Sequence, residues 1–420
     1  NTFMPWMKGR RPAWLIRLGL FMYDHLGGRK ILPGTRALDL TRDPAGAPLQ
    51  KRFHQAYEYS DCWVEDAKLV ALNARDAAQR GAAILTRTRV VSAERQPDHW
   101  VVTTQGPQGE QRHLARALVN AGGPWVEDVI RNVAQINSTE GVRLVRGSHI
   151  VTRKLYDHDR CYFFQGTDGR IIFAIPYEQD FTLIGTTDKD HKSSPGPVSC
   201  TDEERDYLCA FASQYFEREV TAKDVVWTYS GVRPLYNDGE KSATAATRDY
   251  VLSLDTAGAP LLNVFGGKIT TYRRLAEGAL EKLQPFFAAA TGKWTARVAL
   301  PGGDFAADGV PALTAALKSG YPFLTDYWAA RLIRAYGTEA RLVLGSAKTA
   351  VDLGQDFGAT LTAAEVQWLM THEFATRADD VVWRRTKLGL RLTPEQIAAL
   401  DAWMTKTELP ADGVHALSAE

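Results

Sequence analysis

A short stretch around residue 266 combines residue types that can bind an anion. Residues 261–265 are apolar and predict a strand, Gly266 and Gly267 break it, and the pattern predicts a helix from Lys268. The first N–H groups of a helix lack intrahelical partners, and paired glycines let a ligand approach the backbone. The stretch therefore predicts a site for an anion, or for a group that becomes negative during a reaction. The alternative is an ordinary strand-to-helix turn of an α/β core.

Two further positions carry side chains suited to an anionic substrate. Arg233 lies between Gly231 and Pro234, which we expect to bend the chain and to place a guanidinium that can bind an anion through two parallel bonds. Thr186 belongs to a Gly-Thr-Thr-Asp turn, whose hydroxyl and N–H groups could hold a phosphate. The alternatives are a surface salt bridge for the arginine and a simple polar turn for the threonine.

His149 and Arg248 are the remaining candidates for chemistry. His149 lies inside a predicted strand, where a lone histidine is more often structural than catalytic. Arg248 precedes a β run that is predicted to pair with the strand before Gly266. No metal site is predicted, because the four cysteines lack C-x-x-C spacing and the single His-Glu pair does not extend to H-E-x-x-H.

The composition is that of an ordinary soluble globular protein. The chain has 420 residues, of which 45% are hydrophobic and 24% charged, and its net charge of +1 does not favour nucleic acid as a partner. Four scattered cysteines fit a reducing compartment. No secretory signal is visible, and the longest apolar run near the start, residues 18–23, is far shorter than the ~20 residues that span a bilayer.

The first part of the chain alternates β and helical patterns. Residues 1–35 mix tryptophans with cations, which suits a lipid headgroup region, although the spacing alone favours a core helix with charged ends. Residues 36–57 are predicted to form a loop. A helix over 65–80 and a strand over 117–121, followed by paired glycines, are typical of nucleotide-binding α/β domains. However, the sequence contains no G-x-G-x-x-G fingerprint.

The rest of the chain changes from β structure to helices. Residues 142–188 contain four apolar runs with brief polar turns, which predict an antiparallel sheet. A capping box at Thr201 opens a helix, and residues 225–229 are predicted to form a buried strand. Beyond residue 300 the patterns predict helices, with capping boxes at Thr362 and Thr393.

Taken together, these segments resemble the FAD-dependent, respiratory glycerol-3-phosphate dehydrogenases. The strings that carry the resemblance, in family order over nearly the whole chain, are RPAWLIRLGLFMYDHLG, YEYSDCWVEDAKLV, LVNAGGPWV, RGSHIV, IGTTD, WTYSGVRPL, TRDY, FGGKITTYRRLAE, LPGG, DLGQDFG and RADDVVWRRTKLGL. The resemblance implies an α/β fold with a discontinuous, Rossmann-like FAD-binding domain, an antiparallel-sheet substrate domain and a helical C-terminal domain. The expected segments are 1–60 (substrate domain and membrane-facing), 61–134 and 231–295 (FAD-binding), 135–230 (substrate-binding) and 300–420 (helical).

The resemblance also implies a reaction and a role for each candidate residue. We expect oxidation of sn-glycerol 3-phosphate to dihydroxyacetone phosphate, with hydride passing from C2 to FAD and electrons passing on to a membrane quinone. His149 would accept the hydroxyl proton, Arg233 would stabilise the developing alkoxide, and Lys268 would face the anionic reduced flavin. Thr186 and Arg248 would bind the phosphate, together with Lys268. The residues expected to contact FAD are Val90, Ala121, Gly122, Gly123, Trp125, Gly231, Gly266, Gly267, Ile269 and Thr270.

The chain departs from the family at its start. The family begins with a β-α-β unit that carries the glycine fingerprint and with an Arg-Tyr pair near the substrate, and neither is present here. We therefore expect that an amino-terminal segment is absent. The resemblance further implies a cytoplasmic enzyme attached peripherally to the inner face of the cytoplasmic membrane, and a homodimer is compatible with it. The alternatives are an oxygen-using glycerol-3-phosphate oxidase, a non-catalytic fragment without cofactor and an amine oxidase of related fold.

Overall fold

The computed structural model describes residues 1–6, 12–26, 32–166, 169–237, 249–288 and 292–407. The strands are β1 (Thr2–Trp6), β2 (Arg36–Asp39), β3 (Gln55–Tyr59), β4 (Arg89–Arg95), β5 (Trp100–Gly106), β6 (Gly109–Ala115), β7 (Leu118–Asn120), β8 (Val142–Arg153), β9 (Cys161–Gln165), β10 (Ile171–Tyr177), β11 (Phe181–Gly185), β12 (Lys189–Asp190), β13 (Val225–Tyr236), β14 (Val251–Asp255), β15 (Leu261–Phe265), β16 (Asp356–Gly358) and β17 (Leu361–Thr362). The α-helices are α1 (Ala13–Leu26), α2 (Asp66–Gln79), α3 (Val126–Asp128), α4 (Asp202–Ser213), α5 (Tyr272–Leu283), α6 (Val310–Gly320), α7 (Asp326–Tyr336), α8 (Ala340–Leu344), α9 (Ala363–His372) and α10 (Pro394–Lys406).

The chain divides into two compact units. Unit 1 comprises Asn1–Trp63, Ser92–Val101 and Leu114–Phe286, and unit 2 comprises Val64–Val91, Val102–His113 and Phe287–Glu420. A three-stranded sheet has the order β4-β5-β6. The five-segment division expected from the sequence stays a prediction.

A nine-stranded sheet forms the centre of unit 1. Its order is β12-β8-β11-β10-β9-β1-β3-β2. Strand β13 lies outside this order and pairs with β8, on the edge opposite β11, over nearly the whole length of β13. The strands β8 to β11 are antiparallel neighbours, as predicted. Their apolar side chains pack against α4 in a core that includes Ile150, Phe164, Ile184, Phe211 and Tyr215.

Three expectations for unit 1 are wrong. Residues 36–57 are not all loop, because β2 and the start of β3 lie there and pair with each other in antiparallel fashion. Helix α1 is not a core helix, since Trp14 is 67% exposed and Phe21 is 60% exposed. The chain does not bend after residue 229, because β13 continues through Pro234 to Tyr236 as one half-buried strand.

A second, three-stranded sheet in unit 1 has the order β14-β15-β7. Its central strand β15 is fully buried, runs parallel to β7 and pairs in antiparallel fashion with β14, as the sequence predicted for the β14–β15 pair. Carboxyl ends of parallel strands meet at one edge of a sheet, so the chain leaves β7 and β15 on the same side. The turns after these two strands therefore form one end of the second sheet.

Unit 2 contains an apolar core built mainly from α6 to α10. Helix α2 belongs to this unit, and its buried positions are Lys68, Ala71 and Arg75. The cations are paired: Lys68 Nζ lies 2.5 Å from Glu373 Oε1, and Arg75 donates two bonds to Glu339. Burial of a long cationic side chain is possible here because each charge meets a carboxylate.

The predicted capping box at Thr362 is not formed, although those at Thr201 and Thr393 are. Glu365 is almost completely buried and accepts bonds from Arg331 Nη1 and Nη2 at 2.7 and 2.6 Å and from the Tyr336 hydroxyl at 2.7 Å. A buried guanidinium satisfies the carboxylate better than the local backbone cap could, because it supplies opposite charge as well as two donors.

Replacing Arg331 with alanine is expected to destabilise unit 2 by about 3–5 kcal/mol, because Glu365 would remain as a buried carboxylate without its cation. The measurement is chemical denaturation followed by circular dichroism. The control is Arg334→Ala on the same helix. Arg334 forms a more exposed pair with Glu65, so its loss should cost about 1 kcal/mol or less. Equal losses for the two variants would contradict this interpretation.

Candidate active site

The register of β8 with its neighbours places His149 between a glycine and an aromatic ring. His149 pairs with Gly185 of β11 on one side and with Tyr229 of β13 on the other. The His149 and Tyr229 rings stack with centroids 4.8 Å apart and planes 6° apart. A Cβ at Gly185 would lie 2.1 Å from His149 Cδ2. Glycine at position 185 thus makes room for the imidazole, and Tyr229 holds its plane.

Arg233 lies on the same face of β13 as Tyr229, four residues along the strand. Its Nη2 donates to Thr186 Oγ1 at 2.8 Å, and its Nη1 donates to Asp188. The guanidinium is half-buried, since 37% of the side chain is exposed. It is held by the turn after β11 rather than by the predicted bend between glycine and proline.

A pair of glycines lies between the cross-strand pair that contains His149 and the one that contains Arg233. Gly147 of β8 and Gly231 of β13 are directly opposite each other. A Cβ on Gly147 would lie 2.2 Å from Arg233 Nη2, and a Cβ on Gly231 would meet nothing within 4 Å. The guanidinium therefore reaches back over Gly147 toward His149, above a floor without side chains. A small substrate could contact both groups at once.

The Gly266–Gly267 turn lies beside this face. Gly266 and Gly267 have φ of 67° and 107°, values that L-residues rarely adopt. A Cβ on Gly266 would be 3.6 Å from the Pro234 carbonyl oxygen, so the turn contacts the strand one residue beyond Arg233. Lys268 is exposed and precedes a 3₁₀ turn and then α5, which has no side-chain cap at that position. Large apolar side chains of this turn and of α5 are exposed, since Ile269, Tyr272 and Leu280 are each at least 37% exposed.

The other glycine turn follows β7. Asn120 is buried and donates to the Val126 carbonyl and to Asn263 Oδ1, each at 3.0 Å, while its own Oδ1 accepts from the Gly122 N–H at 3.2 Å. These bonds tie the turn to β15. Gly123 has a φ of 55°, and a Cβ there would meet nothing within 4 Å. The turn is thus rigid at its base and open on its outer side.

These features fit a flavin dinucleotide. Ala121 and Thr270, in the turns after β7 and β15, are exposed residues, and Ile269 and Trp125 offer exposed apolar surface. Positive φ at Gly123, Gly266 and Gly267, and the open space beside Gly123, let a phosphate or a flat ring approach the main chain. Val90 lies on β4 and is 37% exposed.

The structure brings together three of the predicted residues and adds others. His149, Arg233 and Thr186 lie around one glycine floor. Arg248 lies outside the described residues. Sequence reasoning assigned no role to Asp188 or Tyr229, because each takes its role from pairing between distant strands. The Gly-Thr-Thr-Asp turn itself was the signal that could have pointed to Asp188.

Two family models cover most of the chain. The one described as FAD dependent oxidoreductase matches residues 7–273, and the one described as C-terminal domain of alpha-glycerophosphate oxidase matches residues 293–406. Among solved structures, the glycerol-3-phosphate dehydrogenase from Bacillus halodurans complexed with FAD is similar with a TM-score of 0.74 and 25% identity, covering 96% of this chain and 76% of that chain.

Two curated relatives are similar over nearly all of this chain. The D-erythritol 1-phosphate dehydrogenase of Brucella abortus is 47% identical over 411 residues, which are 97% of this chain and 82% of the relative. The aerobic glycerol-3-phosphate dehydrogenase of Escherichia coli is 43% identical over 96% of this chain and 80% of the relative.

Proposed function

The chain belongs to the family of FAD-dependent glycerol-3-phosphate dehydrogenases, and from this premise we propose its reaction in detail. The enzyme uses FAD and oxidises sn-glycerol 3-phosphate to dihydroxyacetone phosphate. The electrons then pass to a membrane quinone. The observation that carries this assignment is the arrangement of His149 and Arg233 around the floor formed by Gly147 and Gly231.

The residues around Gly147 and Gly231 have different roles in the oxidation. When bound, FAD supplies the acceptor for the hydride that leaves C2. His149, stacked on Tyr229, accepts the proton of the C2 hydroxyl, since imidazole suits proton transfer near neutral pH. Arg233 donates hydrogen bonds to the oxygen that becomes negative as the proton leaves. Because Asp188 and Thr186 already hold the guanidinium, little reorientation is needed during the reaction.

Lys268 and the turn before α5 hold negative charge at the edge of this site. The exposed ammonium and the uncapped N–H groups of the helical turn attract an anion. Gly122, Gly123, Gly266 and Gly267 would hold FAD through the main chain. Thr186 and Arg248 are proposed to bind the substrate phosphate.

A second substrate is supported by one comparison. The relative from Brucella abortus acts on D-erythritol 1-phosphate, according to its name, and is 47% identical to this chain. Both substrates are polyol phosphates with a secondary hydroxyl, so the same base and guanidinium serve either one. The test compares kcat/KM for the two compounds with the FAD-loaded protein and an artificial electron acceptor. A higher kcat/KM for D-erythritol 1-phosphate would replace our assignment with the second candidate.

The acceptor is tested separately. We expect turnover with a soluble ubiquinone analogue under nitrogen, and little hydrogen peroxide in air without quinone. Peroxide formation at the rate of quinone reduction would favour an oxygen-using oxidase instead.

We also propose that α1 docks on the inner face of the cytoplasmic membrane. The large apolar side chains Trp14, Leu18, Phe21 and Met22 are each at least 49% exposed, and Arg17 between them is exposed as well. An apolar helix surface with cations suits the headgroup region of an anionic bilayer. Among the described residues, no helix is both long and apolar enough to cross a bilayer.

Glutamine at Lys8, Arg10, Arg11 and Arg17 is expected to weaken sedimentation with anionic lipid vesicles, because each cation near the surface contributes about 1 kcal/mol of attraction. The first three of these residues lie outside the described part of the chain. The control replaces four exposed cations elsewhere with glutamine: Arg42, Lys51, Arg52 and Lys154. Unchanged vesicle binding of the first variant would refute the docking proposal. The homodimer stays a prediction that sedimentation of the free protein would check.

A further inference from the structure

A buried carboxylate lies behind the turn that holds Arg233. Glu204, the third residue of α4, is 1% exposed. Its Oε1 accepts from Thr187 Oγ1 at 3.1 Å, and its Oε2 accepts from Arg146 Nη2 at 3.0 Å and from the Thr201 N–H at 3.1 Å. One carboxylate thus joins a helix, a strand and the turn after β11.

Thr187 links this carboxylate to β8, the strand that carries His149. Its hydroxyl oxygen accepts from the Ser148 N–H at 2.9 Å, and its own N–H donates to the Ser148 carbonyl at 3.2 Å. Ser148 precedes His149 in β8, and Thr187 lies between Thr186 and Asp188, the two residues that hold Arg233. Because Thr187 is buried, it cannot exchange these bonds for water without moving the turn.

The carboxylate is kept ionised by its neighbours. Burial alone would raise the pKa of Glu204, but hydrogen bonds from Thr201, Ser148 and Thr187 and the charge of Arg146 outweigh it and leave that pKa below its usual value. The carboxylate therefore carries its negative charge at neutral pH, stabilised by these neighbours.

We propose that Glu204 is a positioning residue for the oxidation: through Thr187 it holds the Thr186–Asp188 turn and, with it, the orientation of the Arg233 guanidinium. The inference rests on the proposed function. It gives helix α4 a role in the reaction, although Glu204 itself does not lie beside Gly147 and Gly231.

The helix cap alone does not require this carboxylate. Helix α10 forms the same capping box at Thr393 with a glutamine, Gln396, in the third position. Glu204→Gln should therefore keep α4 capped, while its amide would face Arg146 and Thr187 without the negative charge. The variant separates the cap from the positioning of the turn.

The test compares Glu204→Gln with Glu203→Gln in the FAD-loaded enzyme. Glu203 is the preceding residue of α4, and its side chain is 83% exposed in a pair with Lys189. We expect Glu204→Gln to slow anaerobic flavin reduction by glycerol 3-phosphate by about 10- to 100-fold, since misplacement by about 1 Å can cost that much. The dissociation constant of dihydroxyacetone phosphate for the oxidised enzyme, which involves no turnover, should rise in parallel. Glu203→Gln should change neither.

A double variant shows whether Glu204 acts through Thr187. If it does, Glu204→Gln added to Thr187→Val should have almost no further effect on the reduction rate. Multiplied effects, or a Glu204→Gln enzyme that matches Glu203→Gln in both rate and product binding, would overturn the inference and leave the proposed function intact. Failure of the unmodified enzyme to be reduced by either polyol phosphate would overturn both.

Discussion

Replacement of Arg233 by lysine is expected to lower kcat/KM for glycerol 3-phosphate by about 10²–10³-fold, the usual effect of removing a donor to a developing oxyanion. The guanidinium bonds Asp188 and Thr186 simultaneously, while its Nη2 lies over Gly147, two residues before His149 in β8. An ammonium is a single point charge and cannot hold both partners while reaching the substrate. The measurement is the steady-state rate with an artificial acceptor at several substrate concentrations.

Arg143→Lys is the matched control. Arg143 lies on β8 and bonds Asp190 through Nε and Nη2 at 2.9 and 2.7 Å, so it is also an arginine held by an aspartate. Its partner lies on β12 and not in the turn that carries Thr186. We expect the control to keep normal activity, and normal activity of Arg233→Lys would remove this arginine from the site.

Replacement of His149 by asparagine is expected to lower the rate of flavin reduction by about 10²–10⁴-fold, the range that positioned general bases contribute. Asparagine is small enough to leave Gly185 and the strand pairing undisturbed, but it cannot accept the hydroxyl proton. Stopped-flow absorbance after anaerobic mixing measures this step directly. His191→Asn, which removes a histidine just after β12, should leave the rate unchanged. Reduction of His149→Asn at the normal rate would assign the proton to another group.

Much of the fold was predictable because local patterns agree with tertiary packing. The fold class is confirmed: an FAD-binding fold with an antiparallel substrate sheet and a helical C-terminal part. In β8, Val145, Ile150 and Val151 are buried while His149 is only partly buried, and the predicted apolar run coincides with the observed strand. The paired glycines after β15 were equally informative, because they predicted the end of the strand, and both adopt positive φ in the structure.

The errors arise where a distant partner decides the outcome. The pattern that predicts helix α2 does not show that Lys68 and Arg75 are buried, because the carboxylates that neutralise them lie far along the chain. Glu365 has the spacing of a capping box, but Arg331 competes for it successfully. Likewise, the glycine and proline around Arg233 suggested a bend, whereas pairing with β8 keeps that segment extended.

The same limit applies to the site. Single residues such as His149 and Lys268 could be proposed from type and context, together with the family resemblance. Their arrangement around one site could not be predicted, because the roles of Gly147, Gly231 and Asp188 depend on how β8, β11 and β13 lie side by side. From the sequence alone, a glycine in a strand gives no indication that a guanidinium will lie above it.

The most direct test of the proposed function is the visible absorption spectrum of the purified 420-residue protein after addition of FAD and desalting, followed by anaerobic addition of sn-glycerol 3-phosphate. We expect a retained flavin band that the substrate bleaches, because the glycine turns would hold the cofactor and His149 and Arg233 would drive its reduction. A retained band that neither glycerol 3-phosphate nor D-erythritol 1-phosphate bleaches would contradict the proposed function.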